Sequence, residues 1–87
     1  MKKTRHIILG VHVKERTKSV PKLQKIFSKY GHLIKTRLGL HDVSCDNAVP
    51  TGLILLDLVA CADGVAKFEK DLRSIKNVEV KKMMFVD

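Results

Sequence analysis

The chain has 87 residues and a mass of 9.8 kDa, which is enough for a single domain spanning residues 1–87 and excludes a second module. Hydrophobic residues make up 45% and charged residues 30%, a balance that excludes a disordered or collagen-like chain. The formal charge is +8, and eleven of the 17 Lys and Arg residues lie within the first 38 positions. A chain this small buries a limited core, so we expect it to gain stability by self-association.

The first half of the sequence predicts a strand, a helix and a second strand. Apolar residues alternate over 5–13 and predict a strand with one buried face, formed by Ile7, Leu9, Val11 and Val13. Ser19 is expected to cap the first helix, with Pro21 in its first turn. Apolar residues then recur at helical spacing up to Gly31, which we expect to end the helix in a left-handed conformation. Alternation resumes over 33–40 and predicts the second strand.

The second half repeats this pattern after a long connection. Residues 41–51 form a polar stretch of eleven residues, longer than a tight hairpin needs. The strongly apolar residues 52–60 predict a third strand. A second helix is expected to begin near Asp63 and to end before Asn77, with Glu69 and Arg73 paired one turn apart. Residues 78–86 predict the last strand.

The order of these elements predicts a ferredoxin-like βαββαβ sandwich, an α+β fold with a four-stranded antiparallel sheet and both helices on one face. Strands one and three are then central, and the face of the sheet away from the helices is expected to be apolar. Such a face is normally an interface. We therefore expect a homodimer or homotetramer, or a complex with a protein partner, through Ile8, Leu53, Leu55, Val59, Met83 and Phe85.

A stripe of lysines follows one side of the predicted first helix. Its members, spaced by four, three and four residues, are Lys18, Lys22, Lys25 and Lys29. The stripe can follow phosphates, which makes nucleic-acid binding an alternative function. A solvated helix face is the other interpretation, since neither aromatic residues nor arginines cluster with these lysines. The aromatic residues on which bases stack in RNA-recognition domains of this topology are also absent from the two central strands.

Metal binding is a further alternative, and catalysis is not expected. His41 and Cys45 lie four apart in the long connection and offer imidazole and thiolate ligands, but their spacing matches no strong metal signature. We find no paired carboxylates, nucleophile elbow or glycine-rich phosphate loop, so we expect no enzyme, and the sequence identifies no cofactor. With two cysteines outside any disulfide framework and no membrane span, the chain is expected to be cytoplasmic.

Several segments together resemble a known family. They are Ile8-Leu-Gly-Val-His-Val13, the helix ending in Lys29-Tyr-Gly31, Ile34-Lys-Thr-Arg-Leu-Gly39, the third strand, and Asn77-Val-Glu-Val-Lys81. Over almost the whole chain the sequence resembles the iron-only hydrogenase system regulators, small relatives of the ACT-like C-terminal domain of the nickel-responsive repressor. The resemblance implies an ACT-like fold and a non-enzymatic, oligomeric, transcriptional-regulator-like module that binds a small effector.

Arg37-Leu-Gly39 matches the Arg-x-Gly of that family at the end of strand two. We expect the effector to contact Arg37, Gly39 and His41, because strand ends and loops beside an interface form concave sites. Two features depart from the repressor. Its His-x-His pair has no counterpart on strand two, so nickel binding does not carry over. The chain also begins almost directly with strand one, so we expect it to lack a DNA-binding domain of its own.

Overall fold

The computed structural model describes residues 3–14, 16–40, 52–60 and 63–86. Four strands form one antiparallel sheet: β1 (Thr4–Val13), β2 (Ile34–Leu40), β3 (Gly52–Leu58) and β4 (Val78–Val86). Their order in the sheet is β2-β3-β1-β4, which places β1 and β3 in the centre, as predicted. Helix α1 (Arg16–Lys29) follows β1, and α2 (Val65–Arg73) follows β3. The structure thus confirms an α+β fold of the ferredoxin-like kind.

Both helices cover the same face of the sheet. The four alternate residues of β1 that were predicted to be buried are buried in the structure. Together with the buried residues of the helices and of the other strands they form one core. The buried apolar residues of β1 and β3 are Ile7, Leu9, Val11, Val13, Leu56 and Leu58; those of the helices are Leu23, Phe27, Phe68 and Leu72. We call this side of the sheet the helix face and the other side the open face.

The start of α1 differs from the prediction. The helix begins at Arg16, so Ser19 and Pro21 lie inside it rather than at its cap and first turn. The Ser19 hydroxyl is buried and donates a hydrogen bond to the carbonyl of Lys76, at 3.2 Å. This contact ties α1 to the turn before β4, which explains why a serine stands here. Gly31 does not take a left-handed conformation either; it begins a short 3-10 turn that leads into β2.

Strand β2 contains an irregularity that simple alternation does not predict. Ile34 pairs with Leu58, but Thr36 pairs with the adjacent Asp57, so Lys35 is an extra residue in the ladder. The bulge moves Ile34 to the helix face, where it packs against the core. It also leaves Leu38 and Leu40 together on the open face. Uninterrupted alternation over 33–40 would place Ile34 on the same face as these two leucines, and the bulge shows that this is wrong.

Candidate interface on the open face of the sheet

The open face carries two apolar clusters, because paired residues of antiparallel strands share a face. On β2 and β3, Leu38 pairs with Leu55 and Leu40 pairs with Leu53. These four residues form the first cluster, which we call the leucine quartet. The second cluster lies on β1 and β4, where Ile8 pairs with Met83 and His6 with Phe85. The quartet includes two residues, Leu38 and Leu40, that sequence reasoning did not assign to the interface.

The apolar residues of the open face are uncovered. Five of them have exposed fractions from 36% for Leu53 to 56% for Met83, with Leu38, Leu40 and Phe85 between these values. Taking about 200 Å² for a whole large side chain, the two clusters expose on the order of 500 Å² of apolar surface. That is at the upper end of the largest patches on monomers. Homodimer interfaces are about 65% apolar and bury about 800 Å² per partner, so the patch has the size such an interface requires.

One predicted member of the interface lies just beyond the end of β3. Val59 follows the last residue of β3 and is half-buried. Its backbone N–H donates to the carbonyl of Leu33, at 2.8 Å. The remaining five predicted residues lie on the open face as expected: Ile8, Leu53, Leu55, Met83 and Phe85.

Asp57 lies between the two clusters. It pairs with Ile8 on one side and with Thr36 on the other. Its Oδ1 is buried and has no hydrogen-bond partner among the described residues. A buried polar atom without a partner costs about 1–3 kcal/mol. The isolated subunit itself therefore bears this cost.

The end of the open face nearest Val13 is polar. His12 pairs with Glu79 across β1 and β4, and their side chains approach to 3.9 Å between Nδ1 and Oε1. At the other end the imidazole of His6 meets the ring of Phe85 edge-on, with centroids 6.2 Å apart. Gly10 lies between these ends and places no side chain on the open face. A Cβ atom there would lie 3.9 Å from Leu55 Cδ2 and 4.0 Å from the carbonyl oxygen of Lys81.

Arg37, the first predicted effector residue, lies on the helix face at the β2 edge. Its guanidinium carbon is 4.6 Å from the centroid of the Phe27 ring, and Nη1 donates to Gln24 Oε1 at 3.4 Å. This stack fixes the plane of an exposed guanidinium beside α1. Gly39 is also on the helix face, and a Cβ there would meet nothing within 4 Å. His41 lies outside the described residues, so the structure brings together Arg37 and Gly39 only.

All four members of the lysine stripe are exposed on the outer side of α1. Lys29 lies over the ring of Tyr30, with Nζ 5.4 Å from its centroid. Among the described residues, no carboxylate pairs with Lys18, Lys22, Lys25 or Lys29. The stripe is therefore a run of positive charge without neutralising carboxylates in this part of the chain.

The polar groups of the helix layer, by contrast, are satisfied by one another. The Tyr30 hydroxyl donates to Asp71 Oδ2 at 2.6 Å and joins α1 to α2. This hydrogen bond, burial and the negative charge of Asp71 together raise the pKa of Tyr30.

Glu69 is the centre of a second polar group on the helix face. It accepts from Arg73, as predicted, at 2.9 Å, and from Lys82 at 3.2 Å. Burial acts to raise the pKa of Glu69, but the hydrogen bonds and charges of Arg73 and Lys82 outweigh it and hold the pKa below its usual value. These contacts attach α2 to β4.

The metal-site prediction falls outside the described residues, since both His41 and Cys45 lie in the 41–51 stretch. Within the described ranges, no group of three or more His, Cys, Asp or Glu side chains is placed to hold a metal ion. No helix in those ranges has the length and apolar character needed to cross a membrane.

Comparison with known proteins adds a fold relationship. No protein-family model matches the chain, and no curated protein matches it. A solved structure of an uncharacterized protein, TM1266, from Thermotoga maritima is similar, with a TM-score of 0.77 and 21% sequence identity. The match covers 98% of this chain and 99% of that one. The two proteins thus share a fold over their whole described length.

Proposed function

We propose that the chain is a non-enzymatic, oligomeric, ACT-like regulatory module of the iron-only hydrogenase system regulator type, which binds a small effector. The observation that carries the proposal is the open face. It exposes roughly 500 Å² of apolar surface. A second copy of the chain is the occupant that best accounts for this surface, because it supplies apolar clusters of matching size.

The oligomer is tested by placing one charge in the leucine quartet. Leu53→Lys adds a lysine at a partly exposed position, so the subunit itself is expected to fold. The added charge would be buried in the interface without a partner, which is costly. Native mass spectrometry and sedimentation velocity at micromolar concentration are expected to show a multiple of 9.8 kDa for the wild type and a lower multiple for the variant.

The matched control is Ala66→Lys, which adds the same charge at an exposed position of α2. It is expected to keep the wild-type mass. A wild-type protein of 9.8 kDa at these concentrations, or a Leu53→Lys variant that assembles like the control, would rule out the open-face interface.

The effector is proposed to bind beside Arg37 at the β2 edge. The stacked guanidinium has five N–H donors in a fixed plane, of which one meets Gln24. This geometry suits a carboxylate or phosphate group on the effector. Native mass spectrometry of protein purified without added ligands is expected to reveal retained mass that identifies the effector.

Arg37→Ala tests the assignment of this residue. The variant is expected to lose the retained mass and to bind the identified effector at least tenfold more weakly, while its urea unfolding midpoint changes little. Lys35→Ala is the control, since it removes one positive charge from the same strand at an exposed position. Equal affinity of Arg37→Ala and the wild type would remove Arg37 from the site.

The lysine stripe supports a second candidate function, binding of a nucleic-acid backbone. The specific observation is that no carboxylate pairs with these lysines within the described residues. Fluorescence anisotropy with duplex DNA would then show affinity that falls steeply with salt. Replacing Lys22, Lys25 and Lys29 with Gln is expected to flatten the salt dependence.

The control for the stripe replaces Lys67, Lys70 and Lys76 with Gln, which removes the same net charge from exposed positions outside α1. If both triple variants lose the same affinity, binding follows net charge alone and the stripe is not a site. If the wild type does not bind, this second candidate fails.

A further inference from the structure

The half of the molecule formed by α1 and β2 carries positive charge without acidic residues. Between positions 16 and 40 the sequence has seven Lys or Arg residues and no Asp or Glu. On the neighbouring elements, Asp71 accepts a hydrogen bond from the Tyr30 hydroxyl, and Asp57 lies on the open face. Neither carboxylate neutralises the outer side of α1. The described part of this surface therefore lacks counter-charges of its own.

One cation of this surface is held in a fixed position. The guanidinium carbon of Arg37 is 4.6 Å from the centroid of the Phe27 ring, and Nη1 donates to Gln24 at 3.4 Å. Packing on the ring reduces the conformational entropy that the arginine loses when it binds a ligand. The fork of N–H donors matches two oxygens of one phosphate or carboxylate group. Arg37 can thus anchor one end of an anionic ligand.

Three exposed lysines of the stripe lie close to this anchor on α1. Lys25 directly follows Gln24, which accepts the hydrogen bond from Arg37. At a rise of about 1.5 Å per residue, Lys22 lies about 4.5 Å and Lys29 about 6 Å from Lys25 along the helix axis. These separations are shorter than the screening length of about 8–10 Å in physiological salt. One short ligand can therefore interact with all of these charges at once.

The helix face has room for such a ligand beside Arg37. Strands β1 and β2 both pair antiparallel with β3, so they are parallel to each other and α1 runs in the opposite direction. Gly39 lies two residues beyond Arg37 on the same face, toward the first half of α1. A Cβ atom at Gly39 would meet nothing within 4 Å. A ligand anchored at Arg37 can thus extend past Gly39 toward Lys22.

We propose that the effector is a small molecule with a chain of phosphate groups, held by Arg37 at one end and by Lys22, Lys25 and Lys29 along α1. A single carboxylate would be satisfied by Arg37 and would leave the lysines unused. A phosphate chain places several negative charges close together, and the compact ammonium groups of lysines bind phosphates as point charges. This assignment rests on the proposed function, in which Arg37 binds the effector. It needs no second copy, because every contact belongs to one chain.

The experiment titrates the full chain with inorganic phosphates of increasing length by isothermal titration calorimetry. Tripolyphosphate is expected to bind several-fold more tightly than pyrophosphate, and pyrophosphate several-fold more tightly than orthophosphate. Citrate, a tricarboxylate, is expected to bind about tenfold more weakly than tripolyphosphate. Added salt is expected to weaken tripolyphosphate binding most, because this ligand has the most charges to be screened.

Two substitutions test the named residues. Arg37→Ala is expected to weaken tripolyphosphate binding about tenfold or more, since it removes charge-assisted hydrogen bonds. Lys25→Gln is expected to weaken it about threefold, the effect of one exposed ion pair. Lys67→Gln, which removes the same charge from an exposed position of α2, is the control and is expected to bind like the wild type. Urea unfolding of each variant verifies that the subunit is folded.

The outcomes separate this site from the other proposals. The expected order of ligands, with losses in Arg37→Ala and Lys25→Gln but not in Lys67→Gln, supports the phosphate-chain site, even if the chain is monomeric. Equal affinity for citrate and tripolyphosphate, or equal losses in Lys25→Gln and Lys67→Gln, overturns it. A retained effector without phosphate also overturns it and leaves the proposed function standing. Binding of duplex DNA without binding of tripolyphosphate overturns it in favour of the second candidate function.

Discussion

The two faces of the sheet are built from the same strands, yet they differ in what covers them. On the helix face the apolar residues of β1 and β3 are fully packed, and polar side chains such as Tyr30, Asp71 and Glu69 satisfy one another. On the open face residues of similar character are half-exposed, and Asp57 keeps a buried oxygen without a partner among the described residues. The comparison teaches that one strand alternation encodes two apolar faces, one closed by the helices of the chain and one left uncovered by the described residues.

The largest expected difference between the faces appears along β3. Leu56→Ala removes a fully buried side chain from the helix face and is expected to lower the free energy of unfolding by about 2–5 kcal/mol. Leu53→Ala, three residues away on the open face, is expected to lower it by less than about 1 kcal/mol when the protein is dilute enough to dissociate. Urea unfolding at low protein concentration measures both. Equal losses would mean that the open face is part of the intramolecular core.

A smaller effect of opposite sign is expected at Asp57. Asp57→Leu removes a buried oxygen that has no partner among the described residues and extends the apolar surface, so the dissociated subunit is expected to gain about 1–3 kcal/mol. The affinity between subunits is expected to change little, since this oxygen is already buried within the subunit. Dilution experiments followed by sedimentation measure this affinity, with Asp57→Asn as the isosteric control. A dissociated subunit destabilised by Asp57→Leu would show that the carboxylate has a role within the chain.

The smallest effect concerns the polar contacts of the helix face at high pH. Because the pKa of Tyr30 is raised in the folded protein, its contribution to stability is fully present below its ordinary pKa of about 10 and is lost as the pH rises through the folded value. The chain has one tyrosine and no tryptophan, so the ultraviolet absorbance of the phenolate reports Tyr30 alone. The midpoint of the absorbance titration is expected above pH 10 in the wild type and closer to pH 10 in Asp71→Asn. A wild-type midpoint at or below 10 would contradict the Tyr30–Asp71 hydrogen bond.

Alternation of side chains was enough to predict the strands and most of the open face, and the order of the elements predicted the central positions of β1 and β3. The alternation did not predict the faces correctly around Lys35, because a bulge there interrupts the period of two. No local signal marks this bulge in the sequence. The result was that Leu38 and Leu40 were not assigned to the interface. The predicted start of α1 was also wrong, since the Ser19 hydroxyl does not cap the helix but donates a hydrogen bond to the carbonyl of Lys76, 57 residues away. Such long-range partners cannot be inferred from local propensity.

The exposure of Met84 and Val86 shows a related limit. Their position on the face of Val78 and Val80 follows from the alternation of side chains in β4. Whether a helix covers that end of the sheet depends on the length and packing of α2, which sequence periodicity defines only approximately. The exposure of Met84 and Val86 therefore became visible only in the structure, which shows both β4 and the extent of α2.

Gly10 gives the open face a shape as well as a chemical character. A methyl group there would make only ordinary contacts, at 3.9 Å to Leu55 and 4.0 Å to Lys81, so the folded subunit itself does not require glycine at this position. Glycine leaves this point at the centre of the sheet, beside the leucine quartet, without a side chain. A side chain at position 10 would project from the open face, so the residue there influences which surfaces can pack closely against it.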